Sequence, residues 1–258
     1  MPFSFNRSTD SPVAFRTLLV AAAALVAGWS ALQGFRLMHS KHRRIHTAAF
    51  SHIDAAAARR ILVVGDSTGV GIGCTDPRST VPGRLAAAFA GTEVVNHCCD
   101  GAQSVDVAQQ IVASEGRFDL ILIFVGGNDV IRLSRYEAVV EAADHALAIA
   151  GDRARHVAVI PPADVGAAPL WVWPLDALYS RRAQGVRRAW QVATSQRTNV
   201  HLVDLRMARD RDPFRIKPRR YYSADGVHPS ADGYALWFAQ ITGQVPYFAE
   251  LSHPSVVA

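Results

Sequence analysis

A three-layer α/β/α sandwich, with a central parallel sheet between two layers of helices, is the architecture this 258-residue sequence predicts. Short apolar runs alternate with segments of helical pattern from about residue 60 to residue 242. One of those runs, Leu120-Ile121-Leu122-Ile123-Phe124-Val125, is apolar at every position, as expected of a strand covered on both faces. Half of the residues are hydrophobic, enough in a chain of this length for one sizeable core and a single α/β domain with a short extension.

The elements follow in order. Ile61–Val64 reads as the first strand, followed by a helix near Gly83–Ala90, a strand at Glu93–His97 and a helix near Val105–Ser114. Leu120–Val125 is the third strand, then come a helix near Tyr136–Ala150 and a strand at His156–Ile160. A helix near Leu178–Gln196, a strand at Val200–Asp204 and a helix from Asp232 to about Thr242 close the domain, with no internal repeat.

Ahead of the domain, Leu18 to Phe35 is apolar apart from Ser30 and Gln33. At ~1.5 Å per residue such a helix reaches about 27 Å, close to the ~30 Å of a bilayer core. The segment reads as a membrane anchor or as an export signal. Gly28-Trp29-Ser30 is its one late small-x-small pattern, and Arg36 to Arg44 follow at once, which favours an uncleaved anchor. The expected division is a basic segment at 1–17, the anchor or signal at 18–35, a basic and then Ala-rich juxtamembrane linker at 36–59, and the domain at 60–250. Four basic residues after the apolar segment against two before it point to a cytoplasmic domain.

The same basic residues dispose of a nucleic-acid reading. Arg7, Arg16, Arg36, Lys41, Arg43 and Arg44 against Asp10 account for the whole formal charge of +5, so the remainder is neutral. A neutral domain without a nucleic-acid motif argues against DNA or RNA as a partner.

Four blocks carry the chemistry. Gly65-Asp66-Ser67-Thr68 follows the first strand, and Asp225-Gly226-Val227-His228-Pro229 precedes the last helix. Serine is a weak nucleophile without a base; of ten histidines His228 alone stands in an Asp-x-x-His setting, and Gly226 permits the bend by which Asp225 can orient its ring. Gly101, in Asn96-His97-Cys98-Cys99-Asp100-Gly101-Ala102-Gln103-Ser104, and Asn128, in Gly126-Gly127-Asn128-Asp129, each lie just beyond a strand. The backbone N–H groups of Ser67 and Gly101, with the side-chain amide of Asn128, are suited to hold a developing oxyanion. Asp66 and Asp129 read as structural, bonding nearby N–H groups. Each block also has a purely structural reading: a strand-to-helix turn with an Asx bond at Asp66, an ordinary turn at Asn128, and a helix cap at Asp225 and His228.

The order and local sequence of these blocks, over about residues 60 to 240, resemble the SGNH hydrolases, also called the GDSL esterase/lipase family. This chain has Thr68 where many members carry Leu or Ile, a departure behind the serine that leaves the chemistry intact. The resemblance implies a flavodoxin-like sandwich and acyl-enzyme chemistry at Ser67, with a Ser67, His228 and Asp225 triad, an oxyanion hole from Ser67, Gly101 and Asn128, no metal and no organic cofactor. It implies a lipid, glycan or small-molecule ester as substrate, with glycan O-deacetylation and acyl transfer to an acceptor other than water as alternatives, and a non-catalytic ligand-binding relative as the reading of another class. Many proteins similar to this one act outside the cytoplasm, against the charge count.

The remaining signals are weaker. Cys74, Cys98 and Cys99 make no disulfide framework, although a bridge from Cys74 to either of the others is conceivable. Adjacent His97, Cys98 and Cys99 lack metal-ligand spacing. Gly65 to Gly73 is glycine-rich but lacks the Gly-Lys-Ser/Thr ending of a phosphate loop. Trp171, Trp173 and Tyr179 lie in a segment that either walls the substrate cleft or packs the loop onto the domain. Arg215, Arg219 and Arg220, in a run that includes Arg206 and Lys217, are candidates for drawing anionic head groups.

Overall fold

The computed structural model describes residues 12–252. It begins with helix α1 (Pro12–His42), followed by β1 (Arg59–Gly65), α2 (Ser67–Val70), α3 (Val81–Ala88), β2 (Thr92–Asn96), α4 (Val107–Val112) and β3 (Phe118–Phe124). Then come α5 (Gly127–Ile131), α6 (Tyr136–Arg153), β4 (Ala154–Ile160), α7 (Leu175–Thr194), β5 (Val200–Leu202), α8 (Pro213–Ile216), α9 (Pro218–Tyr221), α10 (Ala231–Gln244) and α11 (Pro246–Ser252). The five strands form one sheet in the order β2-β1-β3-β4-β5, every pair parallel. The expected parallel sheet with helices on both faces is therefore present.

Strand alternation sorts the core into two layers. On one face Leu62 and Val64 of β1 and Ile121 and Ile123 of β3 pack with Ile111 of α4, Ala143 and Leu147 of α6, and Val186 and Trp190 of α7. On the other, Ile61, Val63, Leu120, Leu122 and Phe124 meet Leu85 of α3, Tyr234 and Ile241 of α10, and Phe248 of α11. Each fully buried Leu, Ile or Phe contributes about 1.5–3 kcal/mol, so this continuous double burial is what selects a parallel sheet.

Helix starts are set by local chemistry. Thr80 accepts from Gly83 N at 3.3 Å ahead of α3, with Pro82 in its first turn, and Ser230 accepts from Gly233 N at 3.2 Å ahead of α10. Asp225 and His228 therefore do not cap α10. The expected helix near Val105–Ser114 is shorter, a single 3-10 turn at Ser104–Asp106 running into α4. The last strand stops at Leu202 and pairs with β4.

The chain divides at residue 39 into two units. Helix α1, most of which belongs to the first, carries a 28-residue stretch, Phe15–His42, long and apolar enough to cross a membrane, a property that an N-terminal signal sequence shares. Leu18, Val20, Leu25 and Val26, spread around the helix, are all exposed.

In the second unit, the end of α1 at His42 leads into an irregular segment that is hydrogen-bonded to the domain. His52 and Val94 exchange both backbone hydrogen bonds at 2.8 Å, Ala58 N donates to Gly91 O and Asn96 N to Ser51 Oγ. The edge strand β2 would otherwise present open backbone groups, and this segment satisfies them.

Two glycines test this architecture in opposite directions. Gly65, at φ +125, has no room for a Cβ, which would lie 1.7 Å from the carbonyl oxygen of Phe124, whereas Gly185, inside α7, meets nothing within 4 Å. Thermal melts should show Gly65→Ala losing about 2 kcal/mol or more and Gly185→Ala gaining ~0.5–1 kcal/mol. A Gly65→Ala protein as stable as the parent contradicts the packing of β1 on β3.

Candidate active site

The sequence-predicted site residues lie at the C-terminal rim of the sheet, Ser67 opening α2, Gly101 in a loop and Asn128 in the first turn of α5, or in the turn before α10. At the end of β1, Gly65 turns the chain beneath the end of β3, where Asp66 N donates to Phe124 O at 2.8 Å. Asp66 caps α2: its Oδ1 accepts from Thr68 N at 2.9 Å and from Thr68 Oγ1 at 2.6 Å. Burial raises the Asp66 pKa, and the two Thr68 hydrogen bonds oppose that rise. Ser67 is the first residue of α2, where a helix leaves N–H groups without intrahelical partners.

The second block is a tight turn. Gly226, at φ +72, lets Ser223 N reach His228 O at 2.8 Å. Asp225 Oδ1 accepts from Ser223 Oγ at 2.7 Å, Val227 N at 2.9 Å and His228 N at 3.0 Å. Its Oδ2 lies 2.6 Å from His228 Nδ1, and His228 Nε2 lies 2.9 Å from Ser67 Oγ. All three side chains are buried. Burial alone would raise the Asp225 pKa; the hydrogen bond and charge of His228, with the Val227 N–H and the Ser223 hydroxyl, outweigh it and hold the carboxyl well below the usual range. With Nδ1 facing a carboxylate, the ring carries its proton there, and Nε2 is left to accept from the serine hydroxyl.

The loop after β2 is anchored from both sides. Asn96 accepts from Cys98 N and donates to Gly69 O, each at 3.0 Å, and Cys99 N donates to Gly65 O at 2.9 Å. Gly101 follows at φ +82, in the turn closed by Ala102 N donating to Cys99 O. Asn128 Nδ2 donates to Ala102 O at 2.9 Å, so the amide rests against the Gly101 loop with one of its two hydrogens committed there. Asp129 is buried and accepts from Ser104 N and Ser104 Oγ, both at 2.9 Å, and Trp190 Nε1 donates to the same hydroxyl. Asp66 and Asp129 thus bind backbone and hydroxyl donors, as read from the sequence, though the partner of Asp129 is remote in the chain.

The three cysteines are free thiols. Burial raises Cys98 well above its ordinary value and pushes Cys74 up to about 11, so neither is poised as a thiolate. His97 turns away to Ser114 Oγ at 3.0 Å, and Cys99 is exposed.

Residues outside the four blocks also touch the site. Ser40 Oγ donates to Asp225 O at 2.7 Å, and Arg44 Nη2 lies 2.6 Å from Asp100 Oδ1 and 3.5 Å from His228 Nε2. Neither has a sequence signal beyond the basic run, which reads as a membrane flank. Trp171 packs edge-on against Tyr179 with ring centroids 4.7 Å apart, the packing alternative, whereas Trp173 is 75% exposed. Leu170 N donates to Gly226 O, fastening this segment to the histidine turn. Arg215 is paired inward with Asp164, and Arg220 with Asp232 at 2.7 Å. Both charges are spoken for within the domain, which weakens their reading as a surface for anionic head groups.

Several solved structures share this fold. A catalytic mutant of an acetylxylan esterase from Geobacillus stearothermophilus is similar at 16% identity and TM-score 0.55, over 75% of this chain and 96% of that one. A lipolytic protein of the G-D-S-L family from Veillonella parvula is similar at 16% identity and TM-score 0.56, over 72% and 97%. An extracellular lipase from Streptomyces rimosus is similar at 18% identity and TM-score 0.51, over 72% and 100%. At such identities the likeness is one of fold. No curated protein matches the chain. The sequence model of the GDSL-like lipase/acylhydrolase family matches residues 63–236, from inside β1 to inside α10, and by that match over more than half of its length the chain belongs to this family of ester hydrolases.

Proposed function

We propose that this protein is a serine esterase that cleaves carboxylic esters through an acyl-enzyme, with Ser67 as nucleophile, His228 as general base and Asp225 as the group that orients and charges the imidazole. The observation that carries this reading is the continuous contact from Ser67 Oγ to His228 Nε2 at 2.9 Å and from His228 Nδ1 to Asp225 Oδ2 at 2.6 Å, between residues 161 positions apart. His228 takes the serine proton as Oγ attacks the carbonyl, then returns it to the departing alcohol. Water repeats the sequence on the acyl-enzyme. Asp225 remains ionised throughout, consistent with its depressed pKa.

The oxyanion falls to the N–H of Ser67, the N–H of Gly101 and the uncommitted amide hydrogen of Asn128. The free N1 position of Ser67 and the rigid Gly101 turn support the first two; the Ala102 carbonyl fixes the Asn128 amide plane in advance, so the third donor needs no reorganisation during reaction. Acetylated glycans and lipid esters are both within the proposed range. The exposed Trp173 offers a face on which a sugar ring stacks, which makes acetyl esters the first to try. The α1 helix is proposed as a single membrane anchor, consistent with its length and its apolar circumference.

The deciding experiment is hydrolysis of p-nitrophenyl esters from acetyl to palmitoyl by the full chain in detergent. Ser67→Ala should abolish turnover in a folded protein; retention of activity overturns the serine mechanism. Asn128→Ala should lower kcat by on the order of 10²–10³, and unchanged turnover removes Asn128 from the oxyanion site.

Asp225→Asn should lower kcat by on the order of 10⁴ by upsetting the tautomer. It should also destabilise the fold in a pH-dependent manner. Because the folded-state pKa of Asp225 is depressed, its ionic stabilisation is present above the ordinary Asp value of about 3.9 and is lost as pH falls below it. The melting-temperature gap between the parent and Asp225→Asn should therefore narrow between neutral pH and about pH 3; a constant gap contradicts the charge assignment.

A further inference from the structure

We infer that Arg44 is a specificity-determining residue that receives an anionic group, carboxylate or phosphate, on the alcohol side of the ester. The inference rests on the triad reading above and adds to it the chemical class of substrate.

The guanidinium stands at the reaction centre. Its Nη2 is 3.5 Å from His228 Nε2, the atom that must protonate the leaving oxygen. Whatever group is attached to that oxygen therefore has its first atoms beside Arg44. The segment bearing Arg44 is fastened on either side: Ser40 Oγ donates to Asp225 O at 2.7 Å, and Gly73 N donates to Ile45 O at 3.0 Å. The arginine is thus delivered to the site by the stretch that directly follows α1.

Its donor set is under-used. Nη2 is held by Asp100, but Nε is shielded from solvent and has no hydrogen-bond partner among the described residues. A buried donor without an acceptor marks a place where an acceptor is missing. The Asp100 pair is half-open, with side-chain exposures of 26% and 40%, so a substrate anion can compete for the fork. A second cation lies against the Gly101 loop: Arg132 Nη2 is 3.3 Å from the position a Cβ on Gly101 would take, its Nη1 donates to Gln103 Oε1 at 3.0 Å, and the residue is exposed. The planar fork of arginine suits a carboxylate or phosphate.

The test compares two matched pairs of acetyl esters with the full chain in detergent: meta-acetoxybenzoate against its neutral amide, meta-acetoxybenzamide, and acetyl glycerol phosphate against acetyl glycerol. The parent should favour the charged member of at least one pair in kcat/KM, the favoured pair telling carboxylate from phosphate. Arg44→Ala should lower that charged-to-neutral ratio by about 10-fold or more, and Arg44→Lys should lower it less. A purely structural role changes both members alike, so a ratio unmoved in Arg44→Ala overturns the inference, as does a parent that favours neither anion.

Should Arg44→Ala fail to fold, product inhibition of the parent decides: meta-hydroxybenzoate should inhibit at about 10-fold lower concentration than meta-hydroxybenzamide, or glycerol phosphate than glycerol, and equal inhibition within both pairs overturns the assignment. Ser67→Ala serves as the control throughout. Residual activity in it refutes the triad, whereas Ser67-dependent hydrolysis without charge preference refutes Arg44 alone.

Discussion

The close passage of β1 beneath the end of β3 is the constraint on which the site depends. Gly65 pairs with Phe124 in the ladder, and Asp66 N then takes the Phe124 carbonyl, so the backbone leaves the sheet with no space for a side chain. Only glycine fits both the left-handed φ and the contact. From that turn Ser67 emerges at the start of a helix, and Cys99 N reaches back to Gly65 O to bring the Gly101 loop to the same rim. Parallel strands that all end at one edge do the rest, because every loop leaving them converges there.

The rim concentrates carboxylates that the surrounding backbone must satisfy. Asp66, Asp129 and Asp225 are all buried, and each accepts backbone or hydroxyl hydrogen bonds. Only Asp225 also faces an imidazole. Burial pushes Asp66 up, while at Asp225 the effect of burial is outweighed by His228 with the hydrogen bonds of Val227 and Ser223. This difference lies in the partners each acid meets, since their local motifs look alike.

Legibility followed the range of the interactions. The apolar strands and the helices α3, α4, α6, α7 and α10 were readable because side-chain periodicity and capping act within a few residues. The short helices α2, α5, α8, α9 and α11 were not, as four to seven residues show too little of a period. How residues 45–58 attach to the domain was not legible for a related reason: their hydrogen bonds go to Val94, Gly91 and Gly73, which no local pattern reveals. Arg44 was hidden in the same way, since a basic residue after an apolar helix has a sufficient explanation in the membrane flank.

The sequence by itself determined the turns of the candidate site: Gly-Asp-Ser after a strand, Asp-x-x-His with its intervening glycine, Gly101 itself, and the Gly126-Gly127 pair ahead of Asn128. These are properties of φ, ψ and hydrogen bonds among near neighbours. Only the tertiary structure decided that Ser67 meets His228 across 161 residues, that Asn128 is braced on Ala102, and that Arg44 stands beside the imidazole. Those contacts depend on strand order, on register and on where an edge-covering segment lies, and each of these is set by the packing of the whole core rather than by any stretch of chain within it.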